Sequence, residues 1–147
     1  MTRFAFLLLF ILAATTTSLR AQEAPTEHPL SHKLAECGIV FKTNAVLATQ
    51  KGRDADETAM YRQAGDIFQK TAIEQAQKEG QTDAVAYIET VHQSLLPKWH
   101  EKYNAMMEPP TMADAAKASA DLMKWAEFCG GLGKKTGVLP LPEKTAE

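Results

Sequence analysis

The chain has 147 residues, with 18 acidic against 16 basic side chains, a formal net charge of −2 and an apolar fraction of 45%. That length fits a single domain. The mildly acidic balance argues against a nucleic-acid-binding surface, which needs a basic stripe.

Residues 1–21 read as a signal peptide. Arg3 supplies a positive end, and Phe4 to Ala14 form an unbroken apolar run before a polar stretch ending at Arg20-Ala21. At 1.5 Å per residue that run spans about 16 Å, roughly half a bilayer core, which is the length of a signal core and too short for an anchor. Cleavage is expected after Ala21, with Ser18 and Ala24 as competing sites because Leu19 is large for a residue three before the cut. Cleavage removes Arg3 and Arg20 and no acid, taking the formal net charge from −2 to −4. The expected destination is the periplasm, with secretion as the second choice. No cysteine precedes Cys37, so no lipid anchor is expected, and no later apolar run would span a membrane.

A polar arm follows over 22–30, and a helical domain is expected over 31–132. Ser31 is a good N-cap for a first helix, in which Leu34, Cys37, Gly38, Phe41, Ala45 and Ala48 recur at helical spacing. Ile39, Val40, Val46 and Leu47 widen that face, and Lys51-Gly52 supplies a stop. Asp54 and Glu57 have capping-box spacing at the start of a second helix, whose inner stripe is Met60, Ala64, Ile67 with Phe68, and Thr71 with Ala72, running out at Lys78-Glu79-Gly80.

Thr82 or Asp83 caps a third helix carrying Val85, Ile88, Val91, Leu95, Trp99, Tyr103 and Met106. Pro97 interrupts it and predicts a kink or a restart. After the Pro109-Pro110 loop, Thr111 caps a fourth helix containing Leu122, Met123, Ala126 and Cys129 and stopping at Gly130-Gly131. Residues 133–147 are expected to be an extended or disordered tail. The reading is all-α: an antiparallel up-down-up-down four-helix bundle with a kinked third helix and one disulfide.

Cys37 and Cys129 are the only cysteines, and in an oxidising compartment they are read as a bridge. Their spacing carries no metal or haem-attachment pattern. In the bundle the two lie near the same end, offset by less than about 9 Å of helical rise, a mismatch left to helix tilt.

Nothing in the chain names a reaction. There is no Gly-x-Ser-x-Gly turn and no glycine-rich phosphate loop, and the carboxylates fall where they serve helix dipoles and solvated faces. No catalytic residue, cofactor or metal ligand is assigned, and the balance leans away from an enzyme. His28 and His32 are read as solvated. His92 belongs at the flank of the core, with His100 near the surface. Met60, Met106 and Met123 are read as core filler, with Met107 and Met112 partly exposed. Pro97, Trp99 and Tyr103 form a speculative pocket around the kink, for a peptide or small apolar ligand. The expected role is a non-enzymatic binding or interaction module: an adaptor, an inhibitor or a stress-related chaperone with a periplasmic protein or peptide partner. The alternative is a copper-type metal-binding bundle using His and Met.

Overall fold

The computed structural model describes residues 28–139, so the signal-peptide reading, the arm up to 27 and the tail from 140 onward lie outside the described residues. Four helices follow one another: α1 (Leu30–Gln50), α2 (Ala55–Lys78), α3 (Ala84–Met107) and α4 (Met112–Thr136). Loops of four or five residues join them, which makes consecutive helices antiparallel. The described residues contain no strand.

α1 is the centre of the bundle and touches all three other helices. Leu34 through Val40 are buried without interruption, so the helix is enclosed all round over that stretch. Its partner α2 approaches to backbone contact. A Cβ on Gly38 would lie 3.2 Å from the carbonyl oxygen of Gly65, and one on Gly65 would lie 3.1 Å from that of Gly38. Two glycines facing each other let the axes close up, and Phe68, Ala72 and Ala76 continue the seam fully buried.

The inner stripe of α2 is rotated from the one expected. Ala64, Phe68 and Ala72 are buried as expected, but Thr58 and Gly65 join them in place of Met60, which is exposed, and Ile67, which lies at the edge. On α3 the buried positions are Ala84, Ile88, Val91, Leu95 and Trp99, so Val85 points outward. On α4 only Cys129 and Gly133 are buried, and Met123 is exposed. Met60 and Met123 are therefore not core filler.

Asp83 and Thr111 cap α3 and α4 as expected, accepting from the N–H groups of Ala86 at 3.0 Å and Asp114 at 3.1 Å. Asp54 does not cap α2 through its side chain; its carbonyl instead accepts from the N–H and the hydroxyl of Thr58. Ser31 does not cap α1 either. It lies inside the helix, and the carboxylate of Glu79, from the end of α2, accepts from both its hydroxyl and its N–H. Burial would raise the Glu79 pKa, but these bonds, with others from Gln75 and the Leu30 N–H, hold it below its ordinary value. A negative charge from 48 residues away thus sits on the positive end of α1.

Pro97 lies inside an uninterrupted α3, with no restart there. α4 does not stop at Gly130-Gly131. It continues to Thr136 and ends at Gly137, whose φ of 73° is the left-handed C-terminal turn. The N–H groups of Val138 and Leu139 then donate to the Gly133 carbonyl, folding the chain back on the helix. A Cβ on Gly133 would fall 2.8 Å from Leu139 and 2.9 Å from Phe68, so this glycine is a packing position. The first four residues of the expected tail are thus helical.

Cys37 and Cys129 form the disulfide, with Cα atoms 5.3 Å apart. The longer α4 removes the expected offset. Cys37 lies seven residues after the start of α1, and Cys129 seven before the end of α4.

Candidate functional site

Beside the staple is a polar centre inside the apolar core. Glu36, only 7% exposed, accepts from Lys98 Nζ at 2.5 Å and from Trp99 Nε1 at 3.2 Å through the same oxygen. Lys98 also lies 4.4 Å from the ring centroid of Trp125, which meets Trp99 edge to face at 5.3 Å. The carboxylate satisfies an indole N–H that would otherwise be buried alone, and the ammonium compensates the carboxylate. This is a positioning device for Trp99 and for the junction of α1, α3 and α4. A charge within an apolar stripe, immediately before a cysteine, was its only mark in the sequence.

Two clefts flank the second half of α3, divided by Thr43 and Tyr103, which line both. The larger, about 810 Å³, opens between α3 and α4. Leu47, Met106 and Leu122 are among its apolar residues, and its charges are of both signs. Lys102 there pairs with Asp121, and Glu101, Asp114, Lys117 and Lys124 also line the space.

The smaller cleft, about 740 Å³, opens between α1 and α3. Ile39, Val46, Leu96 and Trp99 supply its apolar surface, and Val46 and Leu96 are each 47% exposed. Its polar groups are Lys42, Gln69, His92, Gln93 and His100 together with Thr43 and Tyr103. No carboxylate lines it. Lys42 is held by Gln69 Oε1 at 2.7 Å and by Asp66, outside the lining, at 3.0 Å. The ring of His92 is half-buried, and its Nε2 is enclosed without a hydrogen-bond partner. Burial, and then Lys42, lower the His92 pKa against the opposing influence of the Ala35 carbonyl and Glu89, so the ring is neutral near pH 7.

Of the three residues expected to form a pocket, Trp99 and Tyr103 line the α1–α3 cleft. Pro97 is exposed on α3 and lines neither cleft. His92 and His100, eight residues apart, meet on that same cleft. His28 and His32 are stacked, with centroids 4.2 Å apart and planes within 6°. Imidazole lone pairs lie in the ring plane, so this arrangement holds them in parallel planes without aiming them at one ion. Met112 is 86% exposed, and Met106 lines the α3–α4 cleft away from both histidines. Among the described residues no three His, Cys, Asp or Glu side chains converge in a way that could hold a metal ion. No described helix is long and apolar enough to cross a membrane.

No protein-family model matches the chain, and no curated protein or solved structure is significantly similar to it.

Proposed function

We propose that the protein is a non-enzymatic binding module of an oxidising, extracytoplasmic compartment, most simply the periplasm, and that it takes a small ligand in the cleft between α1 and α3. The leader-like sequence over residues 1–21 and the buried disulfide support the compartment. The observation that carries the binding reading is the α1–α3 cleft itself. Its volume of about 740 Å³ lies within the usual range for small-molecule sites, and it joins an aromatic and aliphatic wall to a few polar groups. Val46 and Leu96 on its wall are partly exposed, and a ligand would bury that apolar surface.

Native mass spectrometry of protein purified from its own compartment tests this. A bound small molecule is expected on the wild type, lost on denaturation, and absent from Leu96→Glu, which puts a charge on the exposed wall of the cleft. A ligand retained equally by Leu96→Glu and Val46→Glu would place binding elsewhere and refute the reading.

A further inference from the structure

The two clefts differ in the charged side chains that line them, and this difference bears on the ligand. The α3–α4 cleft carries lysines and carboxylates together, so its charges compensate internally. In a chain with more acidic than basic residues, the α1–α3 cleft is lined by one lysine and two histidines and by no carboxylate. An ammonium has three donors, and Lys42 uses two of them, on Gln69 and Asp66. The remaining donor, with His100 and the amides of Gln69 and Gln93, surrounds the polar part of a cavity whose other wall is Val46, Leu96 and Trp99. A lysine in a lining that holds no carboxylate favours an oxyanion over a cation, and the apolar wall favours a hydrocarbon or aromatic body.

Resting on the cleft reading above, we infer that the ligand is a monocarboxylate amphiphile, its body against Val46, Leu96 and Trp99 and its carboxylate toward Lys42 and His100. A cationic amphiphile would bring a like charge to Lys42, and a neutral one would leave the donor set without its anionic acceptor. The volume admits a chain or ring system of drug-like size.

Calorimetric titration with decanoate, decanol and decyltrimethylammonium, each below its micellar concentration, separates the possibilities. Decanoate is expected to bind at least tenfold more tightly than decanol, with the cation weakest. Lys42→Met and His100→Gln should each weaken decanoate about tenfold while leaving decanol unchanged, with circular dichroism checking that the helices persist. Two independent substitutions keep the test valid if the loss of the Asp66 contact disturbs the fold. Decanol binding as tightly as decanoate, or the cation binding best, would overturn the assignment of the acid while leaving the cleft as a binding site. If none of the three bound, or if Leu96→Glu bound decanol as well as the wild type does, the cleft reading would fall and the ligand class with it.

Discussion

The α1–α2 pair and the first half of α4 are built in opposite ways. Between α1 and α2, glycine faces glycine at the crossing, and the seam runs buried through Phe68 to Ala76. From Met112 to Phe128, α4 has no fully buried residue, and its firm attachments to the core come later, at Cys129 and Gly133. The first region has the density of a protein interior. The second lies over a cleft. Rigidity is thus concentrated in one pair of helices and in the staple, while α3 stands between two spaces.

Removing the staple is the strongest way to break this contrast. Its ends are 92 residues apart, so chain entropy predicts a loss of about 4.6 kcal/mol in Cys37→Ser/Cys129→Ser. Chemical denaturation should show that loss with helix content retained, and amide exchange should rise most in α4. Equal loss of protection in α1 and α2 would contradict the division.

The glycine crossing comes next. Gly38→Val sets branched methyl groups against the Gly65 backbone, which cannot yield as a flexible side chain can, and should cost about 2–3 kcal/mol. A neutral effect would mean that the pair is not closed as described.

His92→Leu removes a buried nitrogen without a partner and should raise stability by about 1 kcal/mol, read by chemical denaturation. The same ring has a pH consequence. Its folded pKa is depressed below the ordinary 6.5, as is that of His32, through burial and then His28 and Lys98, against Glu36. A depressed histidine favours the folded state when neutral. That contribution is present above about pH 6.5 and lost as pH falls toward the folded values. Melting temperature should therefore decline between about pH 7 and 5, less steeply in His92→Leu. Glu79, depressed from 4.5, adds a second loss only below that value.

The smallest effect sharpens the contrast from the other side. No heavy atom lies within 4 Å of a Cβ on Gly131, so Gly131→Ala should stabilise α4 by about 0.5–1 kcal/mol, read as a higher melting temperature. Glycine is costly to replace in α1 and dispensable here.

How far the sequence revealed this architecture depended on the range of the interactions. Helical spacing, short loops and the local caps Asp83 and Thr111 predicted four helices, and two cysteines in that topology predicted the bridge. The end of α4 was misread because glycines that ordinarily stop a helix are tolerated here. Gly133 is needed for contact with Phe68, and the true stop comes at Gly137. The Glu79 contact with Ser31 joins residues 48 apart, and the Glu36–Lys98 pair spans 62. Such pairings leave no periodic trace in a linear chain. That Trp99 and Tyr103 line one cleft was legible because both are aromatic and lie on one face of α3 beside a proline. The lining of that cleft by Lys42, His92 and His100 without a carboxylate was not, because it depends on the face of α1 that meets α3.

The longer α4 also gives the staple a mechanical meaning. Cys129 is a clamp set between two unequal arms of one rod. The short arm is pinned where Gly133 packs on Phe68 and Leu139, so it cannot swing. The long arm, from Met112 to Phe128, is about 26 Å long at 1.5 Å per residue and is tethered to α3 by Lys102–Asp121 and by the contacts of Trp125. With its far end fixed in this way, the whole rod is held at the angle that leaves the α3–α4 cleft open beneath its long arm.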